Sequence, residues 1–262
     1  MQSVLNALRV LEEVAVRQPA GVADLARALG MPKSSVQRAL VTLHTAGWIR
    51  QVGEASTRWA VTTKALHVGR RATSELSLRD TAVPIMEELR RRTDETVHLT
   101  IPEGGDKVVL LERLQTSKPV RIVMPLGMNL SLHASANGKA VLAASPADVI
   151  ESYVGKGLTR YTDATIVDPA RLLAELRDIR ERGYAVNGGE WRADVSAVAA
   201  AVTGDSGLPV ASISVNVPTS RMTGELRAGY GALVRDAARQ VAAELGSPGR
   251  PEAAGGPGTD GV

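Results

Sequence analysis

Five polar residues crowd the start of one segment of PKSSVQRALVTLHTAG: Lys33, Ser34, Ser35, Gln37 and Arg38. Val36, Leu40 and Leu43 share one side of a helix over this segment, which turns the polar set outward. Each of those side chains has chemistry suited to duplex DNA. Gln37 can pair bidentately with adenine, Lys33 and Arg38 can pair with guanine or grip phosphate, and the two serines add short polar contacts. Arg50 and Arg58 follow on two strand-like runs, where they suit phosphate or the minor groove. Charge placement agrees with this. Residues 1–75 hold ten Lys or Arg against five Asp or Glu, whereas the remainder holds twenty-one against twenty-three. A basic first quarter on a near-neutral body points to an anionic partner for that quarter alone.

Covalent chemistry finds little to work with. The chain has no cysteine, which excludes disulfide scaffolds, thiolate catalysis and Cys-based zinc sites. His44, His67, His98 and His133 are widely spaced, so no metal site is expected. His133 lies near Ser135, but no GxSxG elbow occurs, and His133 is expected to be satisfied by backbone hydrogen bonds at a strand-to-helix junction. No phosphate-cradling GxxxxGK[ST] or GxGxxG follows a strand. The expectation is a protein without cofactor or catalytic residues. Phe is absent and aromatics make up 3% of residues, which disfavours a stacking platform for single strands and requires an aliphatic core. No apolar run approaches the ~18 residues of a membrane span. Glu12 and Glu13 lie inside the first amphipathic pattern, unlike a secretory signal, so a cytoplasmic location is expected.

These residues need elements to position them. Val4, Leu5, Leu8, Leu11 and Val14 have helical spacing. GVADLARALG reads as a short helix stopped by Gly30, and Pro32 suits the first position of the next. Two helices joined so tightly cross steeply, as in a helix-turn-helix. Trp48–Val52 and Thr57–Val61 then read as a β-hairpin, completing a winged helix over residues 1–61. Residues 62–76 read as a linker helix. Ser77-Leu78-Arg79-Asp80 has capping-box spacing and is expected to open a new helix. The body at 77–246 reads as α+β: strands at 96–101, 107–111, 120–124, 195–202 and 210–217, with helices packed on them. The hairpin turn is Glu103-Gly104-Gly105-Asp106. Ser145-Pro146 and Asp168-Pro169 each read as a side-chain cap followed by proline at the first helical position. Glu225–Leu245 is a closing helix, and 247–262 has the composition of a disordered tail.

With these elements in order, the blocks LHASANGKAVLA, RERGYAVNGGE and LPVASISVNVPTSRM resemble the IclR family of bacterial transcriptional regulators. The resemblance reaches to about residue 246. It implies a C-terminal GAF-like sensor domain that binds a small organic effector, a carboxylate or an aromatic, and a homodimer or homotetramer on palindromic double-stranded operators, most simply as a repressor. It also implies a pocket. Ile122 and Leu130 match apolar wall positions. Ala136 and Asn137 match the residues between Ser135 and Gly138 at a helix start, where free N–H groups favour an anion. Asn187, Ala197, Ser214 and Asn216 match polar or small lining positions. Asp194 departs from a usual Gly, Ala201 from a common Pro, and Asn137 is larger than the usual residue. The competing reading is a metabolite-binding protein or enzyme whose winged helix serves only dimerisation.

Overall fold

In the computed structural model the described residues are 2–53, 57–69 and 73–246, and they divide into two units at Leu76/Ser77. The expected tail at 247–262 and the wing tip at 54–56 lie outside the described residues.

The first unit contains α1 (Gln2–Arg17), α2 (Val22–Leu29), α3 (Lys33–Thr45), β1 (Ile49–Val52), β2 (Arg58–Val61) and α4 (Lys64–Gly69). Its core gathers Val10, Val14, Leu25, Val36, Leu40, Leu43, Ile49 and Trp59. Gly30 makes the tight α2–α3 turn possible. It sits at φ 62°, the left-handed region that favours glycine, and its N–H returns to the Ala26 and Arg27 carbonyls. Pro32 stands one position outside α3, as its N-cap, rather than at the first helical position. The hairpin is antiparallel, with Arg50 opposite Ala60 and Val52 opposite Arg58. The α1–α2 loop is tied to β2: Ala20 and Trp59 exchange backbone hydrogen bonds of 3.0 and 2.9 Å, and Gln18 Oε1 accepts from Val61 N–H. On α1, Val10 and Val14 are buried, while Val4, Leu5 and Leu8 face solvent.

The second unit is built on six antiparallel strands in the order β5-β4-β3-β8-β7-β6. These are β3 (Thr96–Glu103), β4 (Lys107–Leu114), β5 (Asn129–Ser131), β6 (Ala185–Gly188), β7 (Val195–Thr203) and β8 (Pro209–Pro218). One face carries α5 (Thr73–Thr93) and α9 (Gly224–Gly246), packed on Val97, Leu99, Val198, Ile213 and Val215. The other face carries α6 (Ala136–Ala144), α7 (Ala147–Gly155) and α8 (Pro169–Arg182), packed on Val108, Leu110, Ala197 and Ala199. The core is aliphatic on both faces, as a chain without Phe requires.

Several local expectations shift. Residues 120–124 form no strand. Ile122 and Met124 turn inward while Arg121 and Val123 are exposed, so alternation is present over 121–124. The free edge of β4 is instead taken by β5, and prolines at 119 and 125 bracket the run without backbone donors. Ser77 opens no helix, because no Gly or Pro interrupts residues 73–77 and α5 is already under way there. Of the linker expected at 62–76, α4 covers Lys64–Gly69, α5 begins at Thr73, and 70–72 lie outside the described residues. Ser145 caps nothing downstream, since its hydroxyl donates back to the Val141 carbonyl at 2.9 Å. Asp168 does cap α8, accepting from Arg171 N–H at 2.8 Å ahead of Pro169.

Candidate functional site

Two surfaces of different character stand out, one on each unit. The first is the N-terminal half of α3. Lys33, Ser34, Gln37 and Arg38 are exposed and Ser35 is half-buried, whereas Val36, Ala39, Leu40 and Leu43 anchor the opposite side. Among the described residues, the side chains of Lys33, Gln37 and Arg38 have no hydrogen-bond or ion-pair partner, and α3 contains no acid. Three donors held on a rigid helix without internal partners present a cationic, hydrogen-bonding face to solvent. On the hairpin, Arg50 is exposed on β1. Arg58 is exposed too, but its guanidinium donates to the Pro19 carbonyl at 3.1 Å, which fixes its direction.

The second is the α6-side face of the sheet, where register aligns side chains into three cross-strand rows. Asn187, Ala197, Asn216 and Thr96 form one row. Ala185, Ala199, Ser214, His98 and Arg113 form the next. Ala201, Ser212, Thr100 and Leu110 form the third. Thr96, His98, Thr100, Ser212, Ser214 and Asn216 thus make a polar seam, and all six are buried because α6 lies over it. Gly138 permits that close approach. A Cβ there would fall 2.2 Å from the Ser131 carbonyl oxygen and 2.5 Å from the Leu132 Cα. Ser135 caps α6, its Oγ accepting from Gly138 N–H at 2.9 Å.

Most of the seam satisfies itself. Asn137 Nδ2 donates to Thr100 Oγ1 at 3.2 Å and to Ser212 Oγ at 3.1 Å. Asn216 Nδ2 donates to Ser214 Oγ at 2.8 Å. Asn187 Oδ1 accepts from Glu190 N–H at 2.7 Å. His98 is the exception. It is fully buried, and neither ring nitrogen has a hydrogen-bond partner among the described residues. Burial, reinforced by the nearby Arg113 guanidinium, pushes its pKa down to about 3, so the ring is neutral near pH 7. Arg113 itself is half-buried and donates to the Met124 carbonyl.

Of the eight pocket residues expected from sequence, register joins Asn187, Ala197 and Asn216 in one row and places Ser214 in the next, while Asn137 lies over the third. Ile122, Leu130 and Ala136 enter the apolar cluster on the same side. Sequence reasoning missed His98, Arg113, Thr100 and Ser212. The signal for His98, Thr100 and Ser212 is the alternation in Thr96–Ile101 and Val210–Val217, which marks a polar strand face but not the element that covers it; Arg113, beyond the strand expected at 107–111, has no such signal.

Two further polar clusters flank α6. His133 Nε2 donates to the Thr159 carbonyl at 2.9 Å, leaving Nδ1 to accept from Tyr153 Oη at 2.6 Å or Ser131 Oγ at 3.0 Å. Burial lowers the pKa of His133 too. A cavity of about 350 Å³ opens beside it, but the ring's own bonds are complete. Lys139, almost wholly buried, pairs with Glu190 at 2.6 and 2.8 Å. Among the described residues no group of three or more His, Asp or Glu could hold a metal ion, and no helix is long and apolar enough to cross a membrane.

The chain matches two family models, the IclR helix-turn-helix domain over residues 3–53 and the bacterial transcriptional regulator IclR C-terminal domain over residues 70–243. The protein belongs to the IclR family. It is 32% identical over 249 residues to the transcriptional repressor IclR of Escherichia coli strain K12, covering 94% of this chain and 90% of that relative. It is 33% identical over 231 residues to the transcriptional repressor AllR of the same strain, covering 88% and 84%. The crystal structure of the Thermotoga maritima IclR superposes with a TM-score of 0.79 at 26% identity, covering 94% of this chain and 99% of that one. As an IclR-family member the protein is a transcriptional regulator, with a helix-turn-helix DNA-binding domain and an effector-binding C-terminal domain. The α3 face belongs to the first, and the polar seam under α6 to the second.

Proposed function

We propose that this regulator is a cytoplasmic repressor without catalytic activity, binding palindromic operators as a homodimer or homotetramer and responding to a small organic effector. The carrying observation is the N-terminal face of α3, where Lys33, Gln37 and Arg38 stand exposed and unpartnered on a helix without acids. In this reading α3 enters the major groove with Lys33, Ser34, Ser35, Gln37 and Arg38 toward base edges and phosphates, and Arg50 and Arg58 hold the backbone. The effector lies under α6 against Ile122, Leu130, Ala136, Asn137, Asn187, Ala197, Ser214 and Asn216. The working divisions are 1–61 for DNA, 62–76 as linker and 77–246 for the effector. A second copy is supported by the exposed Val4, Leu5 and Leu8 on α1, an apolar strip that a partner chain would bury.

Coupling then follows from geometry. Half-sites of a palindrome lie about 34 Å apart, so an effector that changes the spacing of two recognition helices by a few ångströms alters simultaneous engagement. The test is duplex binding to its own promoter region, measured by fluorescence anisotropy across a salt series. Affinity should fall steeply with salt. Arg38→Ala should weaken specific binding by about 1–3 kcal/mol if it reads a base, and all sequences alike if it holds phosphate. Salt-insensitive binding, or an unchanged footprint in Lys33→Ala and Arg38→Ala together, would sink the proposal.

A further inference from the structure

Aromatic side chains are scarce in this chain, which has three Trp, four Tyr and no Phe. Three of those seven, Tyr153, Tyr161 and Trp191, line one cavity of about 350 Å³ together with the ring of His133. The cavity opens beside the edge strand β5 and the end of α7, and of the eight residues assigned to the effector only Leu130 lines it. Tyr161 is 46% exposed, so its ring is held open at the cavity and not packed away. The rings are not parallel. Tyr153 and Tyr161 have centroids 5.8 and 6.0 Å from that of His133, with planes tilted by 46° and 40°. Rings set at such angles leave a curved wall, which suits a rounded group better than a flat one stacked between parallel faces.

Charge at this wall is also specific. His133 is neutral near pH 7, because burial lowers its pKa and the charge of Lys139 acts in the same direction. Asp106 lies at the rim, with no side-chain hydrogen bond or ion pair among the described residues. Burial pushes the Tyr153 phenol up, and the negative charge of Asp106 adds to this, so the field of that carboxylate reaches the cavity floor. Of the two lysines at the rim, Lys107 is paired with Glu103 at 3.0 Å, and Lys156 is the exposed C-cap of α7.

We propose that this cavity is a second ligand site, separate from the polar seam, and that it takes a quaternary ammonium head group. Tyr153, Tyr161 and Trp191 offer ring faces to the cation, and Asp106 balances its charge from the rim. A fully methylated ammonium has no N–H to donate. It therefore needs faces and a nearby carboxylate, not hydrogen-bond acceptors, and the deepest acceptor here, His133 Nδ1, is already served by the Tyr153 or Ser131 hydroxyl. A primary ammonium would give up its hydration without acceptors in return. Lys107 and Lys156 restrict the other end of the ligand, since a second cation would meet their ammonium groups, whereas a hydroxyl would not be opposed.

The experiment is titration calorimetry of the full chain with four probes: choline, tetramethylammonium, ethanolamine, and the neutral alcohol that has carbon in place of the choline nitrogen. Choline and tetramethylammonium should bind, and ethanolamine and the neutral alcohol should each bind at least tenfold more weakly than choline. Tyr161→Leu and Asp106→Asn should each weaken choline about tenfold, the loss of one partly desolvated contact to the cation, while Tyr161→Phe keeps most of the affinity. Both residues are exposed, so the melting temperatures of these variants without ligand should match the parent. Absence of binding by both quaternary cations, equal binding by choline and its neutral analogue, or undiminished binding by Tyr161→Leu overturns the proposal.

Discussion

At the scale of the residue, two positions decide more than their size suggests. Gly138 allows α6 to rest on the Ser131–Leu132 backbone, and there is no room for even a methyl group. Gly138→Ala should therefore lower stability by about 1–3 kcal/mol, the range for overpacking a rigid site, measured by denaturant titration. A variant as stable as the parent would show that the backbone at 131–132 gives way freely. His98 sets a pH dependence whose sign follows from its depressed pKa. The ordinary value is 6.5 and the folded value about 3, so between these limits the unfolded chain binds the extra proton. Stability is complete above pH 6.5 and falls as the pH drops below it. From pH 7 to pH 5 the loss assigned to His98 is about 2 kcal/mol, at 1.36 kcal/mol per pKa unit. His133 contributes in the same direction, so the comparison that isolates His98 is with His98→Leu. The variant's stability curve should be flatter by that amount, and parallel curves would contradict the assignment.

At the scale of the element, α6 is the piece on which the second unit depends. It is buried along nearly its whole length, and it carries a charged residue, Lys139, into the interior. Glu190 holds that ammonium from the loop after β6, and Glu175 of α8 lies 3.8 Å away. Removing Glu190 takes away both short hydrogen bonds to the buried ammonium and leaves it only the more distant Glu175. Glu190→Ala should thus cost about 3–5 kcal/mol, while the double replacement Lys139→Met/Glu190→Leu should recover most of the loss. Chemical denaturation of the three proteins checks this, and a double variant no better than the single would show the pair to be net stabilising. Helices and hairpins were largely legible at this scale. Gly30, Asp168 and the Glu103–Asp106 turn are local signals acting within a few residues of themselves. The expectations that shifted involve choices made elsewhere in the chain. Residues 121–124 have strand-like alternation, yet no strand edge was left for them once β5 paired with β4. Ser77 has a cap's spacing, but the residues before it were already helical.

At the scale of the whole molecule, the exposed strip of Val4, Leu5 and Leu8 is the feature a lone copy does not explain. These three are 62%, 54% and 49% exposed on a helix whose other side holds the core. In the proposed assembly they meet a second copy, so Leu5→Glu with Leu8→Glu should shift sedimentation toward smaller species. Operator affinity should fall at least tenfold, because two half-sites are no longer engaged together. Because both side chains point to solvent, the helical circular dichroism of the variant should match the parent. An assembly unchanged in mass would place the contact elsewhere.

The sequence by itself determined which residues share a face: the outward polar set of α3, the apolar ridges of α2 and α3, and the two sides of β3 and β8. Periodicity and turn chemistry act between near neighbours, so they survive in the order of residues alone. Only the tertiary structure decided what each face meets. The polar sides of β3 and β8 would ordinarily be assigned to water, yet α6 covers them, and that leaves His98 buried beside Arg113. Alternation sets the direction of a side chain; the environment it finds there is supplied by segments dozens of residues distant.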